Sequence, residues 1–190
     1  MQMSHLPLGR SSATGLSICN ARTAKLWQAI YDRAWHEDAH MTTRRLRAED
    51  LEAASAVCMA SFMAAVAPSL SPLGVETFTG IASVEGFASR MSDENDMFVY
   101  EAAGRVVGVA ELVGGQHVAT LFVLPDCQGQ GVARALMQAL LDCARGDIVT
   151  VRASLASVPA YERYGFQVSG PVGEYAGLIY QPMEMVLIPS

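Results

Sequence analysis

The stretch that decides the fold is Leu121-Phe122-Val123-Leu124-Pro125-Asp126-Cys127-Gln128-Gly129-Gln130-Gly131-Val132-Ala133. It opens with an apolar run that is typical of a strand, Pro125 ends that run, and helical periodicity continues from Ala135 to Ala144. Amide groups in the first turn of a helix lack carbonyl partners within the helix, and glycine lets an anion approach the backbone without a Cβ in the way. We therefore expect a phosphate-binding loop between a strand and a helix.

Two common classes of phosphate loop do not fit this spacing. The Gly-x-x-x-x-Gly-Lys-Ser/Thr pattern of nucleoside triphosphate hydrolases is absent. A dinucleotide-binding loop would need a third glycine where Arg134 stands, and it would belong to a parallel βαβ unit. The loop instead follows strand-like runs at 97–101, 106–113 and 118–124, which glycine turns join into an antiparallel meander. Both classes are disfavoured.

The segments around the meander complete a mixed α/β pattern. An alternating run begins at Met41, and an apolar helix opened by Glu49 and Asp50 follows it. After a loop, a weaker helical stretch reaches Met91. Beyond the helix that follows the glycine loop, the sequence predicts strands at 148–155, 166–169 and 183–188 and a short helix at 159–164.

The quoted stretch resembles the signature of the GNAT superfamily of N-acetyltransferases, Arg/Gln-x-x-Gly-x-Gly/Ala, through Gln128, Gly131 and Ala133. The segment Tyr161-Glu162-Arg163-Tyr164-Gly165-Phe166 is similar to the family's Tyr-x-x-x-Gly-Phe segment, and Gln181-Pro182-Met183-Glu184 looks like the last strand of one bacterial branch. The resemblance implies an α/β fold in which a GNAT-type mixed, mostly antiparallel sheet is splayed and flanked by helices.

The resemblance also implies acetyl-CoA as the co-substrate. The strand at 121–123 would pair its backbone with the pantetheine arm, and main-chain N–H groups at 129–134 would hold the pyrophosphate. Ser154 stands where one branch of the family carries a cofactor-side asparagine, and a serine reaches less far. The residues thus assigned to acetyl-CoA are Leu121, Phe122, Val123, Gln128, Gly129, Gln130, Gly131, Val132, Ala133, Arg134 and Ser154.

Tyr161 matches the tyrosine that in this family often protonates the departing thiolate. A phenol with an ordinary pKa of about 10 stays protonated at neutral pH and can donate a proton to a thiolate as it forms. The structural alternative is a core tyrosine on a short helix. The resemblance therefore makes Tyr161 the candidate general acid.

Attack on a thioester requires a neutral amine, so a base must remove a proton from the ammonium form. His117 stands where the resembling histone-acetylating branch places a glutamate base, and an ordinary pKa of about 6.5 suits that task. Strand parity puts His117 on the face of Ala119, Leu121 and Val123, provided that no bulge intervenes. An exposed histidine at the mouth of a hairpin is the structural alternative, and Glu111 is the rival base.

The resemblance thus implies acetyl transfer from acetyl-CoA to a primary amine, which we expect to proceed by direct attack in a ternary complex. The acceptor, a small-molecule or peptide amine, has no recognisable code, although Glu174 and Tyr175 are candidates for contacting it. The net charge of −6 mildly favours a cationic amine. Two alternatives stay open: a catalytically inactive CoA-binding regulatory module, and a noncatalytic interaction domain whose contact face is a helix bearing Trp27 and Trp35.

The composition of the chain bears on its number of domains and argues against several other classes of protein. With 190 residues and 51% apolar content, we expect one α/β domain plus an appendage. Because acidic residues outnumber basic ones, the chain lacks the positive charge that would attract nucleic acid. The 4 scattered cysteines suggest neither a zinc site nor a disulfide framework. The longest apolar stretch is too short for a membrane span, and a secretory signal is not evident. We expect a cytoplasmic protein that binds no metal.

Residues 1–40 have no counterpart in the resemblance. Trp27, Tyr31 and Trp35 belong to an apolar set at helical spacing, which predicts an amphipathic helix near 22–37. Its apolar stripe is expected to pack on the body of the protein or across a homodimer. The domain prediction is an N-terminal extension at 1–40 and an acetyltransferase domain at 41–190.

Overall fold

The structure is a computed structural model that describes residues 41–187. The amphipathic helix expected near residues 22–37, and with it any dimer contact through its apolar stripe, lies outside the described residues. The end of the strand expected at 183–188 also lies outside them.

The described residues form a mixed α/β fold with the following elements. The α-helices are α1 (Leu51–Ala65), α2 (Pro72–Ile81), α3 (Val84–Met91), α4 (Val132–Leu141) and α5 (Val158–Tyr164). The strands are β1 (Thr42–Arg45), β2 (Asn95–Ala102), β3 (Arg105–Val113), β4 (His117–Val123), β5 (Ile148–Ala153), β6 (Gln167–Val168), β7 (Gly173–Tyr175) and β8 (Leu178–Val186).

The strands form one open sheet in the order β1-β2-β3-β4-β5-β8-β6, and β7 pairs with β8. Every strand pair is antiparallel except β4 with β5, which is parallel. A parallel pair needs a crossover connection, and α4 lies in the segment that supplies it. The mostly antiparallel sheet flanked by helices agrees with the expected fold class.

The weaker helical stretch expected through Met91 consists of two helices, α2 and α3. Each begins at a serine whose hydroxyl accepts an amide N–H of the first turn: Ser71 from Gly74 at 3.3 Å and Ser83 from Gly86 at 3.0 Å. Such caps stabilise a helix start and separate the second helix from the first.

Helix α2 packs against the turn between β7 and β8. Gly74 and Gly177 lie so close that a Cβ on either one would clash with the backbone of the other. The Thr77 hydroxyl donates to the carbonyl of Ala176 at 2.8 Å. This close approach joins α2 and the β7–β8 hairpin into one wall.

Helix α4 packs on the opposite side of the sheet from the cluster that contains Val57, Phe87 and Val109. Its residues Leu136 and Leu140 are fully buried. A Cβ at Gly108 of β3 would lie 2.8 Å from Leu136 Cδ1, so the glycine allows the helix to sit directly on the strand. That packing fixes the helix start, and with it the glycine loop, against the sheet.

The sheet opens between β4 and β5. These strands pair only at His117 with Thr150 and at Val118 with Val151. The register between β3 and β4 shifts at the same point, because Leu112 faces Val118 whereas Glu111 faces Thr120. The extra residue is Ala119, which forms a β-bulge.

The bulge corrects the parity prediction for His117. A single extra residue reverses the alternation of side chains along a strand, so His117 does not share its face with Leu121 and Val123 by simple parity. A bulge also bends the strand that carries it and increases its twist. We attribute the divergence of β4 from β5 to that bend.

Candidate active site

A cavity of about 730 Å³ occupies the gap between β4 and β5. Its volume is in the range of ligand sites of proteins. Residues of β4, the glycine loop, β5, α5 and the wall of α1, α2 and the β7–β8 hairpin line it. The predicted residues that line it are His117, Leu121, Phe122, Val123, Gln128, Gly129, Gly131, Val132, Ala133, Arg134, Ser154, Tyr161 and Tyr175.

The glycine loop forms one end of this cavity. Gly129 and Gly131 have φ angles of 75° and 87°, in the left-handed region that glycine adopts at little cost. A Cβ on either residue would meet no atom within 4 Å, so the space in front of the loop is open. Gly131 immediately precedes the first residue of α4. The first amide N–H of the helix that donates to a backbone carbonyl is that of Ala135, which donates to Gly131. The amides of residues 132–134 are therefore free to bind an anion.

Two glutamine side chains brace the loop. Gln128 Nε2 donates to the carbonyl of Val123 at 3.1 Å, and Gln130 Nε2 donates to that of Asp126 at 3.1 Å. Gln128 lines the cavity, whereas Gln130 is exposed and not among the lining residues. The first bond ties the loop to the end of β4 and the second ties it to the turn that follows, so the amides keep their direction.

Arg134 and Arg163 add positive charge near the loop. Burial raises the pKa of the Tyr164 phenol, and the nearby cations Arg163 and Arg134 oppose that effect. Within residues 41–187, neither arginine forms an ion pair with a carboxylate. Free amides and unpaired guanidinium groups together suit a ligand with several phosphate charges.

Tyr161 lies on α5 and is only 7% exposed. Its ring packs edge-on against Phe166, at 5.4 Å between centroids, and against Tyr164, at 6.2 Å. Burial is the main cause that raises the pKa of the Tyr161 phenol, and Tyr164 adds to it. The phenol therefore stays protonated at neutral pH, as a proton donor must.

Ser154 follows β5 and also lines the cavity. Its hydroxyl donates to Ser157 Oγ at 3.0 Å, and the Ser157 hydroxyl donates to the carbonyl of Ser154 at 2.9 Å. The Ser154 oxygen keeps its acceptor capacity. The Ser154 hydroxyl is thus held next to Ser157 and does not extend into the cavity as far as an asparagine side chain would.

His117 opens β4 opposite the start of β5. Its Nδ1 lies 2.9 Å from the Thr150 hydroxyl, which donates its own proton to the carbonyl of Gln116 at 3.3 Å. The hydroxyl therefore accepts a hydrogen bond from Nδ1–H, and Nε2 keeps a free lone pair. Burial, and next the Arg152 cation, lower the pKa of His117 below its usual value. The imidazole is neutral at neutral pH, the form that a base requires.

The comparisons with known proteins agree with this geometry. A family model described as an acetyltransferase (GNAT) domain matches residues 66–187. The chain belongs to the GNAT acetyltransferase family. It is an acyltransferase of that family. No curated protein matches its sequence significantly.

Several solved structures resemble this GNAT chain. A GCN5-related N-acetyltransferase from Rhodopseudomonas palustris has 25% identity and a TM-score of 0.69, over 80% of this chain and 99% of that one. The ribosomal-protein-S18-alanine N-acetyltransferase from Escherichia coli has 25% identity and a TM-score of 0.56, over 79% and 96%. The PaiA N-acetyltransferase from Thermoplasma acidophilum, solved with coenzyme A, shares the fold at 18% identity and a TM-score of 0.63, over 77% and 98%.

Glu111, the rival base, has a different environment in this GNAT fold. Its side chain is fully buried, and among the described residues it is not one that lines the cavity. Both carboxylate oxygens accept from Arg90 Nε at 3.0 Å, and Oε2 also accepts from the Thr120 hydroxyl at 3.2 Å. The geometry therefore does not favour Glu111 as a base, because its lone pairs are occupied away from the cavity.

Two cavity residues that the sequence analysis did not assign are Arg152 and Arg163. Arg163 lies within the quoted tyrosine motif, but its direction depends on how α5 packs. Arg152 lies on β5, where its guanidinium sits 5.1 Å from the centre of the Tyr180 ring. Glu174 and Tyr175, the two candidates for acceptor contact, both lie on β7, and of the two only Tyr175 lines the cavity.

Residues 41–187 contain no group of three or more His, Cys, Asp or Glu side chains near enough to hold a metal ion. In the same residues, no helix has the length and apolar character that a membrane crossing requires.

Proposed function

We propose that this GNAT chain transfers the acetyl group of acetyl-CoA to a primary amine by direct attack in a ternary complex. The observation that carries the proposal is one cavity with two chemically different ends. One end has free helix amides and two arginines without carboxylate partners. The other has a neutral histidine with a free Nε2. A protonated tyrosine lines the same cavity.

The residues present fit acetyl-CoA. The open space in front of Gly129 and Gly131 lets a pyrophosphate reach the free amides at the start of α4. Residues 121–123 of β4 line the gap where β5 has diverged, which suits an extended arm. Acetyl-CoA supplies the acetyl group as a thioester, which an amine can attack.

In the proposed mechanism, His117 Nε2 accepts one proton from the ammonium form of the acceptor. The freed nitrogen lone pair forms the new C–N bond with the acetyl carbon, and the C–S bond breaks. Tyr161 donates its phenolic proton to the leaving sulfur and recovers a proton from the nitrogen through water. His117 returns its proton to solvent. The products are an N-acetyl amide, a free thiol and one released proton.

Direct attack is also supported by the state of Cys127, which lines the cavity. Burial raises the pKa of its thiol, and the Asp126 charge raises it further. A thiol with a raised pKa forms little thiolate at neutral pH, and thiolate is the nucleophilic form. An acetylated Cys127 intermediate is therefore disfavoured.

Thermal melts with acetyl-CoA test the cofactor part of this proposal. A ligand at 100 times its Kd stabilises the folded state by about 2.7 kcal/mol, so acetyl-CoA should raise the melting temperature. The double variant Arg134→Gln/Arg163→Gln should lose most of that rise. Arg47→Gln, on the surface beside Glu49, is the matched control and should keep it. A shift with NADH or ATP but none with acetyl-CoA would refute the proposal.

A further inference from the structure

The charges that line the cavity differ from the charge of the chain. Although the net charge is −6, none of the described residues that line the cavity is an aspartate or a glutamate. The ionisable groups that can carry positive charge there are Arg134, Arg152, Arg163 and His117. A second ammonium in the acceptor would find no carboxylate to bind. The mild preference for a cationic amine that net charge suggested does not hold for the site itself.

Arg152 stands apart from the two arginines at the glycine loop. The charges of Arg134 and Arg163 both lower the pKa of Tyr164, whereas the charge of Arg152 lowers the pKa of His117. Thr150, which binds His117 Nδ1, and Arg152 are two residues apart on β5, so their side chains project from the same face. Arg152 is therefore the cavity arginine on the face of β5 that meets the proposed base.

Arg152 has no ion-pair partner within the described part of the chain. Its guanidinium lies over the Tyr180 ring at 5.1 Å, a cation–π contact that orients the group and leaves its N–H donors available. A guanidinium presents paired donors that match a carboxylate. The most suitable partner is an anion brought by the acceptor.

The wall formed by α1, α2 and the β7–β8 hairpin is mainly apolar. Phe62 of α1 and Phe78 of α2 stack at 3.9 Å between ring centroids, and Phe78 contacts Phe122 of β4 at 5.3 Å. These aromatic rings line the cavity together with Leu70 and Leu178. The packing of α2 on the β7–β8 turn holds this wall in place. An apolar body of the acceptor fits against it.

We propose that the acceptor is a free α-amino acid with an aromatic or branched apolar side chain, whose carboxylate pairs with Arg152. In such a molecule the amine and the carboxylate are attached to one carbon, which matches the projection of Arg152 and of Thr150, the partner of His117, from one face of β5. The side chain would lie against the Phe62–Phe78 stack. This proposal rests on the acetyl transfer proposed above and specifies its acceptor.

Paired acceptors test the role of the carboxylate. Thiol release from acetyl-CoA would be measured with L-phenylalanine, with phenethylamine, which lacks only the carboxylate, and with spermidine. We expect kcat/KM for L-phenylalanine to exceed that for phenethylamine by about 10- to 100-fold, the range of hydrogen bonds between charged groups. Spermidine should be the poorest acceptor. A preference for spermidine or phenethylamine would overturn the acceptor proposal and leave acetyl transfer intact.

Variants at Arg152 assign the effect to this side chain. Arg152→Gln should raise KM for L-phenylalanine by about 10- to 100-fold, with little change for phenethylamine. Arg152→Lys should restore part of the loss, because it restores the charge but not the paired donors. Arg47→Gln is the control. An equal loss for both acceptors in Arg152→Gln would overturn the proposal.

Binding without turnover separates the two proposals. Calorimetry would titrate L-phenylalanine into the protein saturated with CoA, and into Arg152→Gln prepared in the same way. Binding to the wild-type complex that is lost in Arg152→Gln supports the carboxylate subsite. If such binding occurs but no thiol is released, the acetyl-transfer proposal is refuted and the carboxylate subsite is not. Absence of binding to the wild-type complex would overturn the acceptor proposal.

Discussion

Replacing Tyr161 by phenylalanine removes one hydroxyl group and keeps the ring. The ring is held by edge contacts with Phe166 and Tyr164, and these contacts do not involve the hydroxyl. Within residues 41–187, the Tyr161 hydroxyl has no hydrogen-bond partner. The substitution therefore breaks no protein hydrogen bond, and we expect the free energy of unfolding to change by less than about 1 kcal/mol.

Turnover should respond very differently. Loss of a general acid or base lowers rates by about 10²- to 10⁴-fold, which corresponds to about 3 to 5 kcal/mol in the activation free energy. If the phenol acts only as the proton donor, kcat should fall within this range while acetyl-CoA binding persists. The assay is thiol release under saturating acetyl-CoA, with calorimetric binding of CoA measured on the same preparation.

Tyr100→Phe is the matched control, because Tyr100 is a 9% exposed tyrosine on β2 that does not line the cavity. It should retain wild-type turnover. Near-normal turnover of Tyr161→Phe would assign the acid role to another group or to water. A large loss of stability or of CoA binding together with turnover would show that Tyr161 acts through packing.

Two further predictions concern the base. His117→Ala should lose most activity at pH values between the lowered pKa of His117 and the pKa of the acceptor amine, because there the wild-type imidazole is neutral while the amine is still an ammonium. The loss should shrink as pH rises and free amine appears. A pH–rate profile parallel to that of the wild type at every pH would contradict the role of His117 as base. Glu111→Gln should lower the free energy of unfolding by about 3 kcal/mol, because it leaves the largely buried Arg90 without its counter-charge. The melting temperature and the turnover of the variant check this. A loss of activity at an unchanged melting temperature would instead identify Glu111 as a base.

The sequence predicted the segments whose local chemistry is strong. The quoted stretch contains the end of β4 at Val123, as its apolar run and proline indicate, and the helix expected at 135–144 is α4, which starts and ends three residues earlier, at Val132 and Leu141. The meander strands agree within about two residues at each end. These elements depend on local propensity and turn chemistry, which a single sequence contains.

Features that depend on tertiary packing were missed. Nothing in the residues around Ala119 marks a bulge, because the extra residue is defined only by the register with β3. The strand expected to start at 183 is β8, which starts at Leu178 because it also pairs with β7 across the turn at Ala176 and Gly177. Arg152 could be placed on a strand, but the sequence does not show that this strand pairs in parallel with β4 at His117.

The buried carboxylate of Glu111 is explained by its position beside the bulge. Thr120, the residue after Ala119, donates its hydroxyl to Glu111, and Arg90 binds the same carboxylate from α3. We infer that this cluster holds β4 in its shifted register on the side of β3. On the other side, the last pair with β5 is at Val118, so the edge beyond it carries backbone groups without a strand partner. An extended ligand with amide groups fits that edge, because it can replace the missing strand.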